Sequence, residues 1–461
     1  MKRLLISIAA ALLLPGGALR AQRIAPFEAG DRVAFLGNSI TDGGHYHSYI
    51  WLYYMTRFPE RDVRIFNVGI GGQTAADMCR RLDGDVFAKR PTVLAVSFGM
   101  NDTGYAGYDG DDAEAFGEER YRACLAAFRG MEERLRTAEG VRVVMLGGSP
   151  YDETAQIDNT PLRGKNAVMR RVVAFQQEAA GRNGWEFVDF NAPLLALTTR
   201  EQAADPSFTL TTGDRIHPDN AGHMVMAYLF LRAQGFAGVE VADVRIDAAE
   251  GRVARAANCT IADLKRTGSE LSFDYTARAL PYPTDTVARG MGARRSQAEA
   301  KALVPFTEEM NREMLAVEGL REGDYTLLID GERIGTWSAA ELEKGINLTE
   351  IPWTPQYRQA LEVMHLNEFR WELERSLRDY AWVQYGFMQE RGLLDADDRR
   401  AVEALDREKP NNVWLGIHRD NYSRLMLPRV REARVRQMEQ LTETIYEINR
   451  PQRRRIVLRR E

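Results

Sequence analysis

The chain has 461 residues, more than one hydrophobic core of ordinary size organises, so two domains are expected. Hydrophobic residues at 44% and charged residues at 28% exclude a disordered or fibrous chain. The 61 basic against 66 acidic residues give a net charge of -5, which excludes the basic excess of a nucleic-acid binder, and no nucleic-acid partner is expected.

The first segment reads as a secretory leader. Lys2 and Arg3 precede an apolar run over residues 4–14, and small residues follow over 16–21. A run this short cannot cross a hydrocarbon layer of about 30 Å as a helix. Residues 1–21 are therefore expected to be a signal peptide, and the mature protein to be exported to the periplasm or the medium. No cysteine follows the run, which argues against a lipid anchor, and no later stretch is apolar enough for a transmembrane segment. Cys79, Cys124 and Cys259 have no CxxC spacing and read as small buried thiols.

Residues 32–36 form the first predicted strand, and Gly37-Asn38-Ser39-Ile40-Thr41 follows it directly. A serine at such a junction can project its hydroxyl over the end of a sheet. Next comes a helix over 48–58, preceded by His45, Tyr46 and His47 and dense in aromatic residues. Aromatic rings beside the serine would suit stacking on a sugar, so His45, Tyr46 and Tyr49 are candidates for substrate contact. Trp51, Tyr53 and Tyr54 equally fit a helix packed on the sheet. His45 and His47 have the one-apart spacing of some zinc sites but lack a supporting ligand set, so neither metal nor organic cofactor is expected.

The strand over 63–68 leads into Asn67-Val68-Gly69-Ile70-Gly71-Gly72-Gln73-Thr74, whose glycines let backbone N–H groups approach a ligand. No Gly-Lys-Ser/Thr follows, which disfavours a phosphate loop. After a helix over 75–82 and a strand over 92–97 stands Phe98-Gly99-Met100-Asn101-Asp102, where Asn101 can offer its side-chain amide to a developing oxyanion. A helix over 113–137, a strand over 141–146, a helix over 162–182 and a strand over 186–190 continue the alternation. Asp214-Arg215-Ile216-His217-Pro218 precedes a helix over 220–234. Asp and His three apart can share one loop, the carboxylate holding one ring nitrogen while the other accepts a serine proton. Strand alternating with helix implies a mostly parallel sheet covered on both faces, with functional groups beyond the carboxyl ends of its strands.

Four short motifs thus fall at strand ends in the order Ser, Gly, Asn, Asp-His. Over residues 31–234 their conjunction resembles the SGNH (GDSL-like) hydrolase superfamily, with its GDS-type serine block, glycine block, GxND block and DxxH block. The resemblance implies a flavodoxin-like three-layer α/β/α fold and a serine esterase. Carried onto this chain, it implies Ser39 as nucleophile, His217 as base and Asp214 as its partner. The implied oxyanion hole is the backbone N–H of Ser39, the backbone N–H of Gly72 and the side chain of Asn101; Gly71 replaces Gly72 if the glycine block is aligned one residue away. Position 38 is Asn where the family usually has Asp, which removes a local charge and leaves Ser39 untouched.

The expected substrate is a small-molecule or oligosaccharide ester, first of all an O-acetylated carbohydrate. A lipid or aryl esterase, an O-acetyltransferase with the same triad and a non-catalytic glycan-binding protein are the alternatives. The catalytic unit is expected over 22–238 and a C-terminal α+β extension, largely helical, over 239–461. In the extension, strands are predicted at 241–246 and 271–275, and Asp330-Gly331 marks a hairpin within 325–337. From 355 the pattern is helical and charged, and the arginine-rich residues 450–460 read as a solvated helix end or a loose terminus. No Pro-, Gly- or Ser-rich spacer follows Phe236, so the extension is expected to pack on the first domain and help wall its substrate site.

Overall fold

Five short strands pair in parallel in the computed structural model, which describes residues 23–461 apart from Met291. They are β1 (Arg32–Gly37), β2 (Arg64–Gly69), β3 (Val93–Phe98), β4 (Arg142–Gly147) and β5 (Glu186–Asp189), in the order β2-β1-β3-β4-β5. The expected leader lies outside the described residues. Among those described, no helix is long and apolar enough to cross a membrane.

Both faces of this sheet are apolar, and the side chains alternate between them as a period of two requires. Val33 and Phe35 of β1, with Val93 and Ala95 of β3, join one core; Ala34, Leu36, Leu94 and Val96 join the other. The second core is closed by α3 (Ala75–Arg80), α4 (Ala113–Arg136) and α5 (Lys165–Asn183). The first is closed by α2 (Tyr46–Arg57), which follows the single turn α1 (Ser39–Asp42), and by α6 (Asn191–Gln202) and α7 (Asn220–Ala233). This is the flavodoxin-like three-layer arrangement, and it directs the loops after β1, β2 and β3 to one edge of the sheet.

Two further sheets follow. One has the order β13-β10-β6-β7, from β6 (Ala242–Asp247), β7 (Arg252–Ala257), β10 (Glu313–Glu318) and β13 (Ile346–Asn347). The other has the order β12-β11-β14-β9-β8, from β8 (Cys259–Thr267), β9 (Glu270–Ala277), β11 (Asp324–Ile329), β12 (Glu332–Ser338) and β14 (Arg454–Arg460). Their inner faces share one core that includes Val244, Leu315, Phe273, Leu327, Ile456 and Leu458. The predicted hairpin is present: Asp330 and Gly331 join β11 to β12 with φ of 51° and 85°, both in the left-handed region that such two-residue turns require.

The arginine-rich end is neither a helix end nor loose, and this corrects the expectation. β14 lies between β11 and β9, hydrogen-bonded to both. Ile456 and Leu458 point into the core, while Arg455 pairs with Asp274 at 3.0 Å and Arg459 with Glu270 at 2.6 Å. Alternation, not net charge, decided its structure.

The remaining helices are the short α8 (Phe306–Met310) and α9 (Ala339–Lys344), the 29-residue α10 (Pro355–Val383), α11 (Arg399–Glu408), α12 (Val413–Leu425) and α13 (Pro428–Ile448). Pro355 opens α10 at a position where a missing N–H costs nothing. Ala360, Val363 and Met364 of α10 and Ile445 of α13 belong to the same core as α2, together with Tyr282 and Phe306. All 12 residues of α2 are consequently buried. The two halves of the chain share one apolar core across this helix.

Candidate active site

The turn that carries Ser39 begins where β1 ends. Asn38 has an extended backbone, and its side-chain oxygen accepts the Ile40 N–H at 3.0 Å, capping α1. Asn caps as well as Asp, so the departure at this position gives up a charge and keeps the turn. Asn67 clamps the turn to the glycine loop, donating to Asp42 O at 2.8 Å and accepting from Gly69 N at 2.8 Å. Gly69 is obligatory: a Cβ there would stand 2.2 Å from the Asp42 backbone nitrogen.

Ser39 Oγ lies 2.7 Å from His217 Nε2, and His217 Nδ1 lies 2.5 Å from Asp214 Oδ2. The other carboxylate oxygen accepts the N–H groups of Ile216 at 2.8 Å and His217 at 2.9 Å, so the carboxylate cannot rotate away from the ring. Burial alone would raise Asp214, but the His217 hydrogen bond, the His217 charge and these two N–H groups hold its carboxyl below the usual range. It therefore stays an anion beside the imidazole. The side chains of His217 and Asp214 remain 38% and 40% exposed, which leaves the site open to a substrate.

Arg215 fixes the loop from within. Its φ of 69° is left-handed, a conformation that costs a non-glycine residue about 1–2 kcal/mol. The buried guanidinium offsets this by donating to the carbonyls of Asp152 at 3.0 Å, Ala155 at 3.0 Å and Asn159 at 2.7 Å. Arg215 O in turn accepts Asp152 N at 3.0 Å. The Asp-His loop is thereby tied to the loop after β4.

On the other side of Ser39, the Gly71 N–H donates to Asp42 Oδ2 at 3.2 Å. That N–H is committed within the loop, which favours Gly72 over Gly71 as an oxyanion donor. Gly72 has φ of 81°, and a Cβ there would meet no atom within 4 Å, so it faces open space. Asn101 donates its amide to Gln73 O at 2.9 Å and accepts the Tyr105 hydroxyl at 2.8 Å, which orients the NH₂ group toward the glycine loop. Asp102 bridges the loops after β2 and β3, accepting Ala75 N at 2.8 Å and Gly99 N at 2.9 Å.

Lys165 braces the Asn101 loop from below. Its Nζ donates to Met100 O at 2.8 Å, Thr103 Oγ1 at 2.7 Å and Gly104 O at 2.5 Å, and lies 4.2 Å from the centre of the Tyr105 ring. Burial pulls this ammonium down to about 7. Sequence reasoning passed over Lys165 and Tyr105. The available signal was a lysine in the first turn of a helix, where the helix dipole disfavours a cation.

The C-terminal half reaches the same loops. Glu374 Oε1 accepts Asn67 N at 2.9 Å, Arg378 donates to Gly69 O at 3.0 Å, and Trp382 donates to Gly71 O at 3.1 Å. All three lie on α10 and carry no local motif that would have singled them out.

His45, Tyr46 and Tyr49 do not line the opening, contrary to expectation. All three are buried, because α10 and the segment around Tyr282 cover α2. The His45 ring stacks on Trp371 at 4.1 Å, the Tyr46 hydroxyl meets Thr41 Oγ1 at 2.9 Å, and the Tyr49 hydroxyl accepts from Asn220 at 3.3 Å. His47 Nε2 lies 3.0 Å from Thr41 O, and burial pulls its imidazole down to about 4. Among the described residues no three His, Cys, Asp or Glu side chains are grouped to hold a metal ion. Cys124 and Cys259 are buried and Cys79 is half-buried; all three are free thiols.

Comparison with known proteins agrees with this architecture. Residues 35–225 match the family model of the GDSL-like lipase/acylhydrolases, and residues 361–450 match that of the diltiazem deacetylase C-terminal helical domain. The acetylxylan esterase of Geobacillus stearothermophilus is 30% identical over 227 residues, 45% of this chain and 95% of that protein. A solved structure of a gut microbial diltiazem-metabolizing enzyme is 57% identical, with a TM-score of 0.94 over 96% of this chain and all of that one. The protein is an ester hydrolase, and the chain belongs to the GDSL-like lipase/acylhydrolase, or SGNH, family.

Proposed function

We propose that this protein is an exported serine deacetylase that removes acetyl groups from O-acetylated carbohydrate. The observation that carries the mechanism is the continuous line Asp214–His217–Ser39, with contacts of 2.5 and 2.7 Å. Ser39 Oγ attacks the acetyl carbon while His217 Nε2 takes its proton, and the Asp214 carboxylate stabilises the imidazolium that forms. The oxyanion is held by the N–H groups of Ser39 and Gly72 and by the Asn101 amide, donors aimed at charge that exists only near the transition state. His217 then returns the proton to the departing alcohol oxygen, leaving acetyl-Ser39. Water, deprotonated by the same nitrogen, attacks the acyl carbon, and His217 returns that proton to Ser39 Oγ as the acyl–Oγ bond breaks and acetate leaves.

The acetylxylan esterase, similar over 45% of this chain and 95% of its own length, supports a sugar ester. A second reading, deacetylation of diltiazem or an ester like it, is favoured by the diltiazem-metabolizing relative, which matches both halves. Acetate release from acetylated xylo-oligosaccharides, diltiazem and a series of short to long acyl esters separates these readings. The proposal expects acetyl esters to be preferred and acetylated xylo-oligosaccharides to lead; a preference for long acyl chains would overturn it. Transfer of acetyl to an added alcohol faster than hydrolysis would reassign the chain as an acetyltransferase. Fractionation of cells producing the full chain tests export, with retention in the cytoplasm as the contrary result.

A further inference from the structure

The glycine loop is built around one turn, and the helical half holds the central peptide of that turn. Gln73 N donates to Ile70 O at 3.4 Å, which closes Ile70-Gly71-Gly72-Gln73. Its third residue, Gly72, has φ of 81°, whereas its second, Gly71, has no positive φ. Among the standard turns only type II has that combination. A type I turn joins the same four positions with the central peptide inverted, ψ of the second residue passing from about 120° to about −30°. Glycine at both central positions leaves either form open, because neither residue carries a Cβ that would exclude one. The choice between them comes from outside the turn.

α10 makes that choice. Trp382, in its last turn, donates from Nε1 to Gly71 O at 3.1 Å. Arg378, one turn earlier on the same face, donates to Gly69 O at 3.0 Å and is anchored by its two bonds to Asp85. Asp42 accepts the Gly71 N–H at 3.2 Å and so fixes the preceding peptide, which leaves only the central one free to invert. No peptide bond described is cis, so Gly71 O and the Gly72 N–H share one plane and point in opposite directions. A carbonyl held on Trp382 therefore turns the Gly72 N–H away from α10. Among the described residues that N–H has no acceptor. Inversion would put the carbonyl oxygen in its place, where it would repel an oxyanion. We propose that Trp382 is a positioning residue for the oxyanion hole, holding the Gly71–Gly72 peptide in the one orientation that presents the Gly72 N–H. This step rests on the reading of Gly72 as an oxyanion donor. The hydrolase half then carries the groups that meet the acyl carbon, and the helical half aims one of them.

Trp382→Phe keeps a ring at this position and removes the N–H. On propyl acetate, whose alcohol part has no ring to stack on residue 382, kcat should fall about tenfold with KM changed less than about twofold, the scale of one hydrogen bond biasing the turn. Gly72→Ala reaches the same peptide from the other side. A Cβ on Gly72 meets no atom within 4 Å, so the variant costs no packing, but φ of 81° is disfavoured for alanine and the turn inverts. Its kcat should fall by about 10²–10³, the cost of one oxyanion donor. With that donor already lost, adding Trp382→Phe to Gly72→Ala should cost nothing more. Losses that multiply in the double variant, a defect confined to KM, or a folded Trp382→Phe protein with wild-type kcat overturns the positioning role. Should Trp382→Phe fail to accumulate, replacing Trp382 with benzothienylalanine, in which sulfur stands for the ring N–H, makes the same comparison. A folded Gly72→Ala protein with wild-type kcat overturns the oxyanion reading and the inference with it, a result distinct from a defect that is merely additive.

Discussion

Arg378 and Asp85 stand 293 residues apart in sequence and form a buried two-point ion pair, at 2.9 and 2.8 Å. Arg81 also bonds Asp85, at 2.7 Å, and Arg378 reaches on to Gly69 O. Burial alone would raise Asp85, but Arg378 and Arg81 hold its carboxyl far below the usual range. The C-terminal half is therefore wired to the glycine loop as well as packed on α2. A chain ended after Gly238 would lose Arg378 and uncover the outer side of α2, each large apolar side chain exposed costing about 1.5–3 kcal/mol. Such a fragment should fail to fold, as checked by near-ultraviolet circular dichroism and urea unfolding. A cooperatively folded fragment would show that the shared core is dispensable.

Asn101→Ala should lower kcat by about 10²–10³ with little change in KM, because the amide faces charge that appears only in the transition state. Tyr105→Phe, which removes only the bond that orients this amide, should give a smaller loss of the same kind. Initial-rate kinetics on a soluble acetyl ester decide it. A defect confined to KM would make Asn101 a substrate-binding residue.

Lys165 supplies a pH signature. In the native protein its ammonium loses a proton near 7, against an ordinary value of 10.5. Between these values the unfolded chain holds one more proton than the native chain, so stability rises with pH by about 1.4 kcal/mol per unit from this group. The contribution is destabilising below 7 and vanishes above 10.5. Urea unfolding of wild type and Lys165→Met at several pH values between 7.5 and 9.5 should show the wild type gaining on the variant by that slope. Parallel curves would mean that Lys165 is not shifted.

The hydrolase half was largely legible because its signals are local. Alternating apolar residues marked β1 to β4 within about a residue, and the serine, glycine and Asn101 motifs each follow their own strand, whereas the Asp214–His217 loop follows α6. The helix α6 was missed, since Pro193 and two threonines in Asn191–Gln202 dilute its helical pattern. The fate of His45, Tyr46 and Tyr49 was illegible for a different reason. Their burial depends on α10, more than three hundred residues away, and no property of their own segment reports it. Trp382 and Arg378 were invisible for the same cause. The end of the chain misled because its seven residues carry four arginines. The alternation of Ile456 and Leu458 between them was the better guide.

Acetyl-Ser39 is the intermediate on which the account turns, and it can be weighed directly. Wild-type protein quenched in acid within the first turnovers on an acetyl ester should show a fraction of molecules heavier by one acetyl group. Peptide mapping should locate that mass on Ser39. His217→Ala and Ser39→Ala should show no such species and should lose nearly all hydrolysis, on the scale of about 10⁶ in kcat seen where triad members act together. An acetyl group trapped on another residue, or a folded Ser39→Ala protein that still turns over at the wild-type rate, would contradict Ser39 as the nucleophile.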